Sequence, residues 1–314
     1  MKFPAERSLS YSFYPLYLRK GKRKGLVKLP HVVKSNRCGE FDFVSSSFWG
    51  PIEFAFMDML AAKVLDMHNT NGMTNLYKVS AVKEAIEKPT SHINFVFTED
   101  ELRKCHPSFA SLNSIHILNL IDKIANYKVK LKYKVRAEID DKMSWYVFDN
   151  TKLDDNMVSL FTYQVKPIMT SNTGVIYKRK YKISFDTSLG NLFCINVASI
   201  NLDWINHDFY NLSDYTQLIY RMLINSTRSY TINTSAGIIS KKIHFLGLNK
   251  YQVEDTIVKS FNELVSYGYL KDWVCINPDV RVDFKHFMLS KRKSLKHIKP
   301  YHPGRKTSKY GLKN

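Results

Sequence analysis

Residues 127–136 read YKVKLKYKVR, with a basic residue at every second position. Lys128, Lys130, Lys132, Lys134 and Arg136 alternate with Val129, Leu131, Tyr133 and Val135. A β-strand sends successive side chains to opposite faces, so this period of two predicts a strand with an apolar face on a core and a basic row on the other. A half-buried strand with a lysine-rich wet side has the same pattern. The rest of the chain must decide between a solvated face and one that meets a polyanion.

The net charge of +19 is unevenly placed. Residues 1–37 hold ten Lys/Arg against Glu6, and residues 291–314 hold nine against no acid, which leaves the body at +1. Segments such as LRKGKRKGLVK (18–28) and the last 25 residues repel themselves, bury little and attract polyanions, so both ends read as disordered basic arms. Cys38, Cys105, Cys194 and Cys275 are scattered without CxxC or histidine at ligand spacing, which indicates neither a zinc site nor a disulfide framework. Free thiols and the lack of any apolar run near the roughly 18 residues of a membrane span read as a soluble, cytoplasmic chain that does not contact membranes.

After the first arm, residues 48–69 carry Ile52, Phe56, Met59, Leu60 and Val64 at helical spacing, opened by Pro51. LYKVSAVKEAIEK (76–88) reads as a second helix. INFVFTEDELRK passes from a strand into a helix capped by Thr98, with Glu101 three residues on. Ile117, Leu120, Ile121 and Ile124 then mark an amphipathic helix that runs into the basic strand. Short helix, turn, longer helix, basic strand is the order of a winged helix, in which the second helix and the following hairpin face DNA together. SWYVFDN, VSLFTYQVKPI and GVIYKRKYKISF supply further strands, and Lys178, Lys180 and Lys182 repeat the basic alternation.

The second half repeats the plan. Residues 212–226 form a helix with Ser213 as N-cap and Leu218, Ile219, Met222 and Leu223 inward. A short helix bearing Lys241 and Lys242, a turn at Gly247, a long helix with Val253, Ile257, Phe261 and Leu264 inward, a stop at Gly268 and a strand follow. A projection of about 100° per residue turns Gln252, Asp255, Lys259 and Asn262 outward. Gln and Asn pair with adenine edges and Lys with guanine or phosphate, so Gln252, Lys259 and Asn262, with Lys241, Lys242 and Lys250, are candidate DNA contacts. A plain solvated face fits the same residues. The expected architecture is α+β: a basic arm at 1–40, a winged-helix domain at 41–205, a second at 206–289, and a basic tail at 290–314.

ISFDTSLGNLFCIN, followed by FYNLSDYTQLIYRMLIN and LVSYGYLKDW, resembles the iteron-binding plasmid replication initiators, proteins of two winged-helix domains. The resemblance spans about 46–287 and includes a long helix with a Tyr-Arg pair, here Tyr220 and Arg221. It implies binding of double-stranded DNA at direct repeats of an origin, initiation of plasmid replication, inert or repressive homodimers, and recruitment of the host replicative helicase. The two basic tails are longer than that pattern requires.

No His-x-His pair serves a rolling-circle nuclease, and no GxxxxGK[ST] cradles a nucleoside triphosphate. In PDVRVDFK, Asp279, Asp283 and Lys285 imitate a metal-dependent nuclease, yet such sites hold their acids on separate strands. The expectation is therefore a protein without catalytic activity, cofactor or metal. A winged-helix transcriptional regulator, a nuclease or integrase accessory enzyme, and an RNA binder using Tyr127, Tyr133, Tyr177 and Tyr181 as stacking platforms are the alternative readings.

Overall fold

The computed structural model describes residues 2–6, 16–18, 32–35, 39–44, 49–71, 94–126, 128–139, 142–149, 158–187, 189–190, 193–194, 197, 202–226, 231–245, 247–277, 284–291 and 294–295. The expected helix at 76–88, Asp279, Asp283, and the chain beyond 295 lie outside them. Two compact units divide at Asn211 and Leu212. Both mix helices with antiparallel sheets.

In the first unit, strands β1 (Lys2–Glu6), β2 (Leu16–Leu18), β3 (Val32–Ser35) and β4 (Gly39–Val44) precede helix α1 (Pro51–Asn71). There follow β5 (Asn94–Thr98), α2 (Glu99–Cys105), a single turn at Pro107–Phe109, and α3 (Ser114–Ala125). Strands β6 (Lys128–Ile139), β7 (Lys142–Asp149), β8 (Val158–Ser159), β9 (Thr162–Thr170), β10 (Ile176–Ser184) and β11 (Leu202–Asn206) complete it, with a turn of 3₁₀ helix at His207–Asn211.

The N-terminal arm expected to be disordered contributes strands. Lys2 to Glu6 pair antiparallel with Asn206 to Leu202, and β3 and β4 form a hairpin. Charge repulsion disfavours structure only where no ladder compensates, and here backbone partners are supplied by distant segments.

Helix α1 is buried more completely than its sequence stripe implies. Phe54, Ala55, Phe56, Met57, Met59, Leu60, Ala61 and Val64 are all buried, as expected for a helix surrounded by other elements. Its two buried acids are partnered: Glu53 accepts from the Gly50 amide at 2.6 Å and from Lys123, and Asp58 accepts from the Tyr210 hydroxyl at 2.8 Å. Phe56 meets Phe97, Phe109 and Phe161 edge-on or tilted, and Phe185 packs on Phe95, Phe161 and Phe193. Thr98 and Glu101 form the expected capping box, which starts α2. The apolar face of α3, Ile117, Leu120, Ile121 and Ile124, is buried as its spacing predicts.

The basic strand β6 sits elsewhere than the winged-helix reading places it. Strand β5 pairs with β10 and β10 with β9, giving the order β5-β10-β9. Strand β6 belongs to a separate sheet, between β4 and β7, with β8 beside it. The hairpin that shares a sheet with the strand before α2 is therefore β9–β10. A period of two identifies a strand and its faces, and it carries no information about which distant strand pairs with it.

The second unit comprises α4 (Asp214–Ser226), β12 (Thr231–Ser235), α5 (Ala236–Lys242), β13 (Ile243–Phe245), α6 (Lys250–Ser266), β14 (Asp272–Cys275) and β15 (His286–Ser290). Its sheet order is β12-β15-β14. With β6–β8 inserted before the hairpin of the first unit and β13 between the two helices of the second, each unit carries a helix, a strand, a short helix, a longer helix and a hairpin, and in each the last hairpin strand pairs with the strand before the short helix. Leu218, Ile219, Met222 and Leu223 of α4 and Val253, Ile257, Phe261 and Leu264 of α6 are buried, as read from their spacing. Phe261 packs between Trp273 and Phe287, which locks α6 to the hairpin. Gly268, at φ 77, ends α6: its amide bonds the Val265 carbonyl at 3.0 Å and the Tyr269 amide bonds Leu264 at 2.8 Å, a Schellman turn. Tyr220 meets Tyr269 edge-on, and Arg221 is buried.

Helix α6 also holds the start of α4. Glu263 accepts from the Ser213 amide at 2.9 Å, the Ser213 hydroxyl at 2.7 Å, and the Thr216 hydroxyl. Burial would raise its pKa, but the bonds from Thr216 and Ser213 together outweigh burial and hold it below the ordinary value. Such a group contributes stability that is present above the unfolded-state pKa and lost as pH falls through the folded one. Stability should therefore decline below about pH 4.5. Glu263→Gln should cost about 1–2 kcal/mol at neutral pH, a value discounted for partial exposure, and flatten the acid limb. Thermal melts from pH 2.5 to 7 would check this, and a variant with the same acid limb as the parent would refute it.

Candidate nucleic-acid interface

The sheet β5-β10-β9 buries one face and exposes the other. Phe95, Phe97, Tyr181 and Ile183 face the core, whereas Val96, Gln164, Lys166, Lys180 and Lys182 are exposed. Register sets Lys180 directly between Thr98 and Lys166, and Lys182 between Val96 and Gln164. Like charges opposite one another repel, and the charge of Lys180 is partly offset by Glu101, whose carboxyl it helps to hold below the ordinary range after the bonds from Thr98. Residues 162–184 contain five Lys/Arg and no acid. Lys166 is a further candidate that reading the sequence missed, because a single lysine in VSLFTYQVKPI gives no periodic signal.

The other candidates on β10 are committed to the fold. Lys178 Nζ is 2.8 Å from Asp100 Oδ2, and Arg179 reaches Glu99 at 3.5 Å. The Lys178 hydrogen bond comes first among the interactions that hold the Asp100 carboxyl below its usual range. Tyr181 is buried and donates to Glu99 at 3.1 Å, so it is no stacking platform for a base. Burial, reinforced by Glu99, drives its phenol above the ordinary tyrosine range.

For β6, the register decides how the basic row is opposed. Lys130 stands opposite Asp42, and Lys132 stands opposite Glu40 on one side and Asp149 on the other. Lys34 of β3 lies opposite Glu40, so the row Lys34, Glu40, Lys132, Asp149 alternates in sign. Lys128, Lys134 and Arg136 have no acid directly opposite: their register partners are Val44 and Ser159, Val147, and Trp145. By register, two of the five basic residues, Lys130 and Lys132, stand opposite acidic positions and the other three do not.

In the second unit, the outward face of α6 is used by the protein itself. Gln252 is the N3 residue of a capping box: its amide oxygen accepts from the Asn249 backbone at 3.0 Å while Asn249 accepts from the Gln252 amide at 3.0 Å. Asn262 accepts from the Trp273 indole at 2.9 Å. Lys259 pairs with Asp255 at 2.7 Å on the open surface. Lys250 lies 5.4 Å over the Phe284 ring, and Lys241 is exposed at the end of α5. Lys242 is also in α5, and its side chain lies outside the described residues. Lys285 meets the buried Glu254 at 3.6 Å. Among the described residues, no cluster of His, Cys, Asp or Glu could hold a metal ion.

Gln252→Ala is accordingly expected to cost about 1 kcal/mol of stability through the lost cap. Urea unfolding would read this. An unchanged stability, with a loss of 1–3 kcal/mol in discrimination between DNA sequences, would assign Gln252 a base-reading role.

Among the described residues, no helix is long and apolar enough to cross a membrane. No family model matches the chain, and no curated protein matches it. Two solved structures are similar. RctB domains 2-3 align with a TM-score of 0.43 at 10% identity, over 82% of this chain and 89% of that one. A selenomethionine derivative of domains 2 and 3 of RctB aligns with a TM-score of 0.41 at 10% identity, over 90% and 97%.

Proposed function

We propose that this chain is a double-stranded DNA-binding protein of two winged-helix units that acts at a replication origin. The observation that carries the reading is the exposed, acid-free β9–β10 hairpin with Lys166, Lys180 and Lys182 on its outer face. It comes after the helix pair α2–α3 and the inserted strands β6–β8, and its last strand pairs with the strand before α2 as a wing does. The repetition of that order in the second unit, and the basic residues concentrated toward both ends of the sequence, favour a long duplex over a small ligand. In this reading the lysines hold phosphates, binding energy and not catalysis is the output, and no cofactor takes part.

The initiator role, the binding of direct repeats, a homodimeric form, contact with a host helicase and a cytoplasmic setting belong to the same proposal. They rest on the sequence resemblance to plasmid initiators. Footprinting the purified chain on the DNA upstream of its own gene tests it. Protection of several direct repeats is expected. Protection of one inverted repeat at a promoter would replace initiation with transcriptional control, and the absence of protection together with salt-independent binding would end the DNA-binding reading.

A further inference from the structure

The tip of the β9–β10 hairpin is apolar and open to solvent. Ile168 is 49% exposed, Met169 42%, Val175 61% and Ile176 37%. Apolar residues gathered on an exposed projection mark a contact surface more often than singly scattered ones do. The tip is also built to hold a shape. The Ser171 amide bonds the Val175 carbonyl at 2.8 Å, the Gly174 amide bonds the Ser171 carbonyl at 3.0 Å, and the Ser171 hydroxyl accepts from the Val175 amide at 3.0 Å. Gly174 supplies the left-handed residue of this turn at φ 81.

Strand β9 is an edge, and an exposed apolar edge ordinarily invites a second strand. Here two features oppose that. Pro167 has no amide to donate, and the ladder shifts between Ile176 and Lys178 and again between Lys178 and Arg179, which leaves Tyr177 and then Ile168 as extra residues. Bulges twist a hairpin and re-aim its side chains, and they make poor templates for strand addition. The occupant must therefore accept apolar side chains at the tip and positive charge behind it, where Lys166, Lys180 and Lys182 are exposed and no acid lies between residues 162 and 184.

We infer that this tip is a wedge that enters the stacked bases of double-stranded DNA and kinks it, while the lysines at its base hold the flanking phosphates. Branched and thioether side chains inserted between base steps unstack them, and the resulting bend lets more of the protein reach the backbone. The flexible pyrimidine–purine steps are the least costly places to do this. The inference rests on the DNA-binding reading above and assigns its chemistry at one site.

The test uses the full chain, a mixed-sequence 30-bp duplex with dyes at both ends, and the same duplex with 2-aminopurine at a central TA step. The parent protein should bring the ends together, as a kink of roughly 20–90° requires, and raise the 2-aminopurine fluorescence. The triple variant Ile168→Ser, Met169→Ser, Val175→Ser changes only exposed positions and should keep the parent circular dichroism. It should still bind with the parent salt dependence, yet leave end-to-end distance and fluorescence as in free DNA. Binding by the parent without bending, or equal bending by the variant, overturns the wedge and leaves DNA binding intact. A variant that alters sedimentation but not bending assigns the tip to a second copy of the chain and overturns the wedge as well. A parent that binds no duplex removes the DNA-binding reading itself.

Discussion

Glu99→Ala is expected to lose about 3–5 kcal/mol of stability, the range for stripping one partner from a buried charged network. The Glu99 side chain is 1% exposed, and four groups converge on it: the Tyr181 hydroxyl at 3.1 Å, Arg179 at 3.5 Å, Arg103 at 3.5 Å, and the Ser114 hydroxyl. These groups come from α2, α3 and β10, so one carboxylate ties both helices to the central strand. Removing it leaves a buried phenol without its acceptor and the Arg179 guanidinium without its counter-charge, whereas Arg103 keeps Asp100 at 2.9 Å. Tyr181→Phe, which removes a donor and leaves less uncompensated charge, should cost only about 1 kcal/mol. Urea unfolding measures the loss, and hydrogen exchange locates it. Amides of 94–125 should lose protection while those of 250–266 keep theirs, and a loss below 1 kcal/mol would refute the network's role.

The second large effect is on binding. Replacing Lys166, Lys180 and Lys182 with Gln should flatten the slope of log affinity against log salt by about 2–3 units, since each phosphate contact on duplex DNA contributes roughly 0.9. The weakening should be equal on all sequences, because phosphates carry no base identity. All three side chains are exposed, so folding should persist. Lys130→Gln with Lys132→Gln should move the slope by less than about 1 unit, because the β-sheet register already sets carboxylates opposite both. If this pair flattened the slope more than the hairpin triple did, the interface would lie on the β3-β4-β6-β7 sheet.

These expectations show what local pattern can and cannot reveal. The inward faces of α3, α4 and α6 were legible because a 3.6-residue period is a property of the segment alone. The Thr98–Glu101 cap was legible for the same reason. The equivalent Asn249–Gln252 box was present in the sequence too, but an outward-facing glutamine can be read as a base contact as easily as a cap. The partners of β6 were not legible, and neither was the attachment of Lys178 to Asp100, 78 residues away, which removes it from the free basic row. An acid on a distant element that pairs with a lysine, as Asp100 of α2 does with Lys178 of β10, leaves no mark near that lysine in the chain.

The wide separation of β5 from its partner has a consequence for synthesis. Thr98 pairs with Lys180 across 82 positions, because the strands β6 to β8 intervene, whereas Ser235 and His286 in the second unit are 51 positions apart. At roughly 5–20 residues per second, a nascent β5 waits about 4–16 s before its partner has been translated. During that interval Phe95 and Phe97, buried in the finished protein against Phe185 and against Phe56 and Tyr181 respectively, have no sheet to join. Slower translation between residues 98 and 180 would lengthen the exposure, so codon choice in that interval should govern the yield of soluble protein more than codon choice after residue 212.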